Sequence, residues 1–216
     1  MEEPVTRMDL DAHAVENLRA DRSDRIAESH PLQAQSPYAA SKIGADKLAE
    51  SFYLSFGTPV ATLRPFNTYG PRQSARAVIP TIISQLAAGR RTLRLGSLEP
   101  VRDLTFAQDT AAAFHPVAES PKTVGEVVNA GAGAGISVGD LARLIADVMG
   151  VEAEIERDAS RVRPEKSEVM RLICSTDKIR ALAGWTPKTA LRDGLAETAA
   201  YIREHLDLYK PEIYNL

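Results

Sequence analysis

The sequence predicts an α/β fold in which parallel strands alternate with helices. Two short apolar runs, residues 59–64 and 125–130, have the length and composition of buried strands. Each of them adjoins a segment with helical apolar spacing, and this alternation is typical of a parallel sheet covered by helices. A chain of 216 residues with 44% hydrophobic and 25% charged residues is also long and apolar enough to bury a core.

The strongest helix signal begins at Ser36. Serine is a favoured N-cap, and Pro37 at the first helical position has a backbone angle already suited to a helix. Gly57 supplies a C-terminal stop. The spaced apolar residues between these signals are Ile43, Leu48, Phe52 and Phe56. We therefore predict one helix from Ser36 to about Gly57.

The strand at 59–64 leads into a run of turn formers and polar residues at 64–71, which we interpret as a strand-exit loop. Loops at the carboxyl ends of parallel strands are where open α/β sheets place their ligands. The other predicted helices are at 77–88, 109–118, 137–150, 175–183 and 191–205. The other predicted strands are at 91–95 and 125–130, and residues 101–106 lead into the helix at 109–118. The helix at 137–150 opens with the Ser137-x-x-Asp140 capping box.

Residues 1–30 differ from the rest of the chain. They are rich in Asp, Glu and Arg, and they contain no apolar run long enough to predict a buried strand. They also contain no glycine, since the first glycine of the sequence is Gly44. We therefore treat this segment as atypical.

Composition excludes several classes of protein. A net charge of −3 and a pI near 5.9 argue against a nucleic-acid partner, which needs a clustered basic face. No apolar run reaches the roughly 20 residues of a membrane span, and the N-terminus does not resemble a secretory signal. A single cysteine, Cys174, excludes an internal disulfide and favours the cytoplasm. The sequence has no metal-ligand spacing among its four scattered histidines.

Tyr38 and Lys42 are the residues with the clearest chemical meaning. Positions i and i+4 of a helix share one face, so the phenol and the ammonium can point into one cleft. A nearby ammonium favours the phenolate and lowers the phenol pKa from its usual value of about 10. Such a phenol can remove a hydroxyl proton while hydride leaves the same carbon. The alternative for this spacing alone is an ordinary solvated helix surface.

Five motifs stand out in the sequence, beginning with SPYAASKIGAD at 36–46 and LRPFNTYGPR at 63–72. These two resemble the active-site helix, and the segment that joins the cofactor and substrate domains, of the extended short-chain dehydrogenases/reductases within the NAD-dependent epimerase/dehydratase family. VRDLTFAQD at 101–109 resembles an Arg-Asp-x-x-x-Val-x-Asp motif. RPE at 163–165 and GWTP at 184–187 resemble two signatures near the C-terminus. The motifs occur in the family's order between residues 28 and 200.

The resemblance implies a cofactor role for three residues. Tyr38 is expected to be the catalytic acid/base, and Lys42 to hold the nicotinamide ribose of NAD while tuning Tyr38. Pro65 is expected to lie against the same cofactor. The resemblance also implies a homodimer, because in this family the active-site helix commonly packs into a four-helix dimer interface.

The resemblance assigns nucleotide-sugar binding to three further residues. Asn67 is expected to hydrogen-bond the diphosphate, and Arg102 and Arg163 to pair with its phosphates, a role that suits the guanidinium fork. The alternatives are a turn cap for Asn67 and surface ion pairs for the two arginines. For Asp109 we expect a cap of the following helix rather than a contact with substrate.

The amino-acid sequences of residues 66–74 and 163–168 look closest to those of 4,6-dehydratases of UDP-N-acetylhexosamine type. Their mechanism oxidises C4 with NAD, removes water across C5 and C6, and returns the hydride to C6. A 4-epimerase uses the same Tyr-Lys pair without elimination. A further alternative is a non-catalytic remnant that binds nucleotide sugars or dimerises.

The chain departs from the family pattern upstream of Tyr38. The family has G-x-x-G-x-x-G after its first strand, where glycine lets the backbone approach the pyrophosphate of the cofactor. No glycine precedes Gly44, and we interpret Gly131-x-Gly133-x-Gly135 as a flexible strand-to-helix turn. We therefore expect a chain without the dinucleotide-binding half, inactive by itself, with an exposed sheet edge. A truncated gene, a shifted reading frame and a separate subunit remain open as explanations.

The expected organisation follows from these observations. Residues 1–30 form the atypical segment, and residues 31–130 form the remaining half of a Rossmann-like core with the active-site helix. Substrate-domain elements are interleaved at about 67–119, and residues 131–216 form the substrate-binding part. The fold class is therefore a partial Rossmann-like parallel sheet lacking its N-terminal strands, with a small C-terminal α/β domain.

Overall fold

A computed structural model describes residues 5–8, 25–34, 36–161 and 169–210. These residues form nine strands and seven α-helices, with short 3₁₀ turns at Pro121–Thr123 and Ala159–Arg161. In chain order they are β1 Val5–Met8, α1 Pro37–Phe56, β2 Val60–Pro65, β3 Asn67–Tyr69, α2 Val78–Ala87, β4 Thr92–Leu95, β5 Val101–Phe106, α3 Ala107–Glu119, β6 Val127–Ala130, β7 Gly135–Ser137, α4 Val138–Met149, β8 Glu154–Arg157, β9 Arg171–Leu172, α5 Asp177–Ala183, α6 Leu191–Glu204 and α7 Leu206–Tyr209.

The central sheet is parallel, with the strand order β1-β2-β6. Thr62 of β2 is opposite Val127 of β6, and every residue of β2 is buried. A second sheet has the order β3-β5-β7, with β9 also paired to β5, and β4 pairs with β8. Only β7 runs antiparallel to its neighbour among these pairs of described strands. The predicted α/β class with parallel strands is confirmed.

Residues 1–30, in which no apolar run predicts a buried strand, nevertheless contain β1. Val5–Met8 pairs in parallel with Val60–Leu63, so β2 has a neighbour on both sides. A strand of four residues does not need an apolar run, because main-chain pairing with an existing strand supplies its hydrogen bonds. Pairing of this kind leaves no pattern in the sequence of the segment itself.

The predicted loop at 64–71 also contains a strand. After a break at Phe66, β3 pairs in parallel with Leu104–Phe106 of β5. Phe66 remains tied to the first sheet, since its N–H donates to the carbonyl of Ala130 at 2.8 Å. The chain therefore passes from one sheet to the other within three residues, and this crossing places Asn67 at the start of β3.

The helix predictions agree with the structure. Ser36 caps α1 by accepting a hydrogen bond from the N–H of Ala39 at 3.0 Å, and Gly57 ends the helix in the left-handed region with φ of 67°. Ser137 caps α4 in the same way, through the N–H of Asp140 at 3.0 Å. The local signals read from the sequence thus set these helix ends.

The described residues form two main hydrophobic cores. One lies between β2, β6, α3 and α5, and its fully buried members include Leu63, Val128 and Ile179. The other lies between α2, α4, α6 and the strands β4 and β5, and it includes Ile82, Ile145 and Leu195. A smaller cluster, which contains Ile26, Phe66, Val169, Leu172 and Cys174, lies beside them.

One face of α1 is exposed and apolar. Leu48, Phe52 and Phe56 are 56%, 47% and 76% exposed, and they follow one another at intervals of four residues. The rings of Phe52 and Phe56 lie 5.6 Å apart. We refer to Leu48, Phe52 and Phe56 as the α1 stripe. No helix in the described ranges is long and apolar enough to cross a membrane.

Candidate active site

Tyr38 and Lys42 lie together at the start of α1. The ammonium of Lys42 is 5.5 Å from the centre of the Tyr38 ring, as expected for residues one helical turn apart. Tyr38 is 43% exposed, so its phenol is accessible from solvent. The cap at Ser36 and Pro37 fixes where the helix begins, and it therefore fixes the position of Tyr38 in the first turn.

A buried ion pair holds α1 against β2. Arg64 donates through Nε to Oδ2 of Asp46 at 2.7 Å, and its Nη2 lies 2.6 Å from the same oxygen. The side chains of Arg64 and Asp46 are 8% and 4% exposed. Because α1 leads directly into β2 through residues 57–59, this contact shows that helix and strand run in opposite directions.

The ion pair locates Tyr38 along the sheet. Tyr38 lies eight residues before Asp46, or roughly 12 Å along a helix toward its N-terminus. Asn67 lies three residues beyond Arg64, or roughly 10 Å along extended chain in the same direction. Both residues are therefore at the carboxyl end of β2, which is the edge where parallel α/β sheets bind ligands.

A turn after β6 lies at the same edge as Asn67. Gly131-x-Gly133-x-Gly135, which the sequence predicted to be a flexible turn, is instead closely packed. A Cβ on Gly131 would lie 2.3 Å from Cβ of Cys174, and one on Gly135 would lie 2.5 Å from Ile173. These glycines permit close packing, and Gly133 also has φ of 71°. The predicted position of the turn, between a strand and the helix α4, is nevertheless confirmed, with β7 inserted.

Asp103 is buried beneath this turn. Its carboxylate accepts hydrogen bonds from the N–H groups of Ala132 and Gly133, each at 2.8 Å, and of Cys174 at 3.0 Å. Burial raises the pKa of Asp103 above its ordinary value, while these donors and the Arg25 guanidinium lower it. Sequence analysis assigned Asp103 no role, although its place in the 101–109 motif was visible.

Asn67 and Arg102 are both neighbours of Asp103, Asn67 through a hydrogen bond and Arg102 along β5. The amide Nδ2 of Asn67 donates to the main-chain carbonyl of Asp103 at 3.2 Å. Arg102 precedes Asp103, and its Nη1 donates to the carbonyl of Val169 at 2.6 Å. Arg163 lies outside the described residues, in the segment 162–168 that ends next to Val169.

Pro65 and Tyr69 are both buried parts of the 63–72 motif. Pro65 is the last residue of β2 and pairs with Ala130 of β6. Tyr69 is 1% exposed and donates through its hydroxyl to the carbonyl of Leu191 at 3.2 Å. Burial raises the pKa of the Tyr69 phenol, so Tyr38 is the better placed of these two phenols for acid–base chemistry.

The prediction that Asp109 caps a helix is wrong. The N-cap of α3 is Phe106, and Asp109 lies in the first turn. Its carboxylate instead accepts hydrogen bonds from the N–H groups of Lys188 and Thr189 at 3.1 and 2.8 Å. Asp109 therefore holds the segment that follows the GWTP motif, a contact across 79 residues of chain that no local pattern indicates.

Two sequence comparisons match the chain to proteins that are named as nucleotide-sugar enzymes. It is 33% identical over 186 residues to dTDP-D-glucose 4,6-dehydratase of Homo sapiens, a match that covers 85% of this chain and 53% of the human protein. It is 29% identical over 186 residues to the uncharacterized UDP-glucose epimerase YtcB of Bacillus subtilis, covering 86% of this chain and 58% of that protein. The chain thus spans about half the length of the curated relatives it matches.

The fold agrees with these sequence matches. The structure of dTDP-glucose 4,6-dehydratase from Bacillus anthracis in complex with NAD superposes with a TM-score of 0.81 at 27% identity, covering 94% of this chain and 63% of that chain. A family model described as GDP-mannose 4,6 dehydratase matches residues 20–198. The matched region contains all five motifs found in the sequence. The chain therefore belongs to the epimerase/dehydratase family of extended short-chain dehydrogenases/reductases that the GDP-mannose 4,6 dehydratase model represents.

Proposed function

We propose that this chain carries the substrate-binding and acid–base part of a nucleotide-sugar 4,6-dehydratase. The observation that carries the proposal is the placement of Tyr38 and Lys42. They share the first turns of α1, with Tyr38 43% exposed, at the carboxyl edge of the parallel sheet. The two relatives described above are a 4,6-dehydratase and an epimerase by name.

The proposed role of Tyr38 is to take the proton of the sugar C4 hydroxyl at its phenolic oxygen. Lys42 favours the ionised phenol by its positive charge and holds the nicotinamide ribose. NAD would supply the hydride acceptor for oxidation at C4 and, once water has been lost across C5 and C6, the hydride donor for C6. A 4-epimerase shares the first of these steps, so the product distinguishes the two activities.

The residues present fit only one end of NAD. Tyr38, Lys42 and the buried Pro65 lie where the nicotinamide end belongs in our proposal. The pyrophosphate end requires the close backbone approach that G-x-x-G-x-x-G provides, and the sequence contains no such spacing. We therefore assign to this chain the nicotinamide side alone.

The proposed diphosphate site is formed by Asn67, Arg102 and Arg163. Asn67 and Arg102 flank Asp103 at the carboxyl edge, and Arg102 contacts Val169, which follows the segment that carries Arg163. Two guanidinium groups and an amide match the charge and the acceptor oxygens of a diphosphate. The UDP-N-acetylhexosamine specificity indicated by the sequence remains part of this proposal.

We also propose a homodimer formed through α1. The α1 stripe presents three large apolar side chains on one helical face, and contiguous exposed apolar patches mark association sites in soluble proteins. We place this dimer in the cytoplasm, because the one cysteine, Cys174, is a buried free thiol. A non-catalytic dimer that only binds nucleotide sugars is the second candidate function.

Nucleotide sugars are expected to stabilise the chain, whereas NAD alone is not. Ligand at about 100 times its dissociation constant contributes roughly 2.7 kcal/mol, or a rise in Tm of about 5–10 °C for a chain of this size. Differential scanning fluorimetry with UDP-N-acetylglucosamine, UDP-glucose, dTDP-glucose and NAD, added separately, measures the shift. Arg102→Gln should remove most of it, and Tyr38→Phe should retain it. A rise in Tm with NAD alone would contradict the proposal. So would the absence of a rise with all three nucleotide sugars.

The chain by itself is expected to give no turnover. Without a glycine-rich loop for the pyrophosphate, NAD is not held in place for hydride transfer. Incubation with NAD and UDP-N-acetylglucosamine, followed by detection of 4-keto sugar, measures the activity, with the Bacillus anthracis relative and dTDP-glucose as the positive control. Clear 4-keto product would contradict this expectation, and a C4 epimer would favour the epimerase alternative.

A further inference from the structure

Asp103 is a buried carboxylate to which three main-chain N–H groups converge. It is fully buried, and its two oxygens accept hydrogen bonds from Ala132, Gly133 and Cys174 at 2.8 to 3.0 Å. Ala132 and Gly133 belong to the turn after β6, and Cys174 follows β9. One side chain of β5 therefore joins two segments that are about 40 residues apart in the sequence.

The same residue connects to both described members of the proposed diphosphate site. Its main-chain carbonyl accepts a hydrogen bond from Nδ2 of Asn67 at 3.2 Å, which ties the Asn67 amide to β5. Its neighbour Arg102 donates to Val169, five residues before Cys174. Without the carboxylate, the turn at 132–133 and the segment at Cys174 would no longer be held to β5. The positions of Arg102 and Asn67, which contact these parts of the chain, would then change.

The fold also contains a carboxylate of matching chemistry in a different place. Asp109 is 7% exposed and accepts hydrogen bonds from the main-chain N–H groups of Lys188 and Thr189. These two residues follow the GWTP motif and precede α6, so Asp109 holds a segment that contains none of the proposed ligand-binding residues. Replacing Asp109 is thus a control for losing a buried carboxylate as such.

We propose that Asp103 is a positioning residue for nucleotide-diphosphate binding, which aligns Arg102 and Asn67 by fixing the turn at 131–133 and the segment around Cys174. This inference rests on the proposed function. Asp103 does not touch the ligand in this arrangement, since it is fully buried under the turn. Its effect on binding passes through Arg102 and Asn67.

The test measures the dissociation constant of UDP-N-acetylglucosamine by isothermal titration calorimetry, at a temperature where circular dichroism shows each variant folded. Asp103→Asn replaces one acceptor oxygen by a donor that faces N–H groups, and it is expected to weaken binding about ten-fold or more. Asp109→Asn should change binding by no more than about three-fold. Because part of the effect of Asp103 passes through Arg102, the loss of binding in the double variant Asp103→Asn/Arg102→Gln should be smaller than the sum of the two single losses.

The possible outcomes separate the two proposals. If the unchanged chain binds none of UDP-N-acetylglucosamine, UDP-glucose and dTDP-glucose, the proposed function fails and the role of Asp103 fails with it. If the unchanged chain binds, equal losses in the Asp103 and Asp109 variants, or additive losses in the double variant, overturn the positioning role alone. If Asp103→Asn does not fold, Asp103→Glu, which keeps the charge but moves the carboxylate, takes its place. Unchanged binding in Asp103→Glu then overturns the role.

Discussion

Replacing Asp46 with alanine is expected to lower the free energy of unfolding by about 3–5 kcal/mol. The change leaves the guanidinium of Arg64 without its carboxylate in a position where the side chain is only 8% exposed. An unpaired buried charge is far more costly than the loss of an exposed ion pair, because water cannot replace the missing partner. Urea denaturation followed by circular dichroism measures the difference.

Lys47 provides a matched control one residue along the same helix. Its ammonium lies 2.6 Å from Oε2 of Glu50, but the two side chains are 62% and 44% exposed. Lys47→Ala is therefore expected to change the free energy of unfolding by no more than about 1 kcal/mol. In Asp46→Leu/Arg64→Met both charges are gone, and most of the lost stability should return. Equal, small effects of Asp46→Ala and Lys47→Ala would show that the ion pair does not hold α1 on β2.

Phe52→Asp is expected to weaken the proposed dimer by about 100-fold or more, since a charge placed at the centre of an apolar interface must be desolvated on association. Phe52 is the middle residue of the α1 stripe, with Leu48 and Phe56 one turn away on either side. Sedimentation equilibrium between micromolar and 100 micromolar protein measures the dimer dissociation constant. The expected result is a dimer for the unchanged chain and a monomer for the variant across this range.

Leu54 is the control for this experiment. It is 74% exposed on the same helix, but it points about 200° away from Phe52 at 100° per residue. Leu54→Asp should therefore leave the dimer unchanged. A monomeric unchanged chain would contradict the dimer proposal, and equal disruption by both variants would show that α1 contributes no specific face.

Local signals explain why much of the site could be predicted. The positions of Tyr38 and Lys42 follow from one helix, whose start is marked by Ser36 and Pro37. These four residues lie within a stretch of seven. The polar residues after β2 were expected at a ligand-binding edge for the same reason, because a buried apolar strand has a recognisable end. The order of the five motifs then predicted the family, which the comparisons confirmed.

Other parts of the structure had no local signal. β3, β7 and β9 have only two or three residues each, too few to show the alternation by which strands are recognised. Asp109 was predicted to be a cap because the predicted helix began at about this residue, yet it lies in the first turn of α3 and its partners lie 79 and 80 residues away. Asp103 and Arg64 stood in quoted motifs, but their burial depends on which strands become neighbours.

The sequence by itself determined the fold class, the ends of α1 and α4, and the pairing of Tyr38 with Lys42 on one helical face. These properties depend on residues within about one or two turns of one another, so composition and spacing carry them. Only the tertiary structure decided that Asp46 pairs with Arg64 and that Asp103 accepts hydrogen bonds from three main-chain N–H groups. It also decided that residues 5–8 join the sheet. Those contacts join segments distant in the chain, and their energies come from burial, which only the folded arrangement creates.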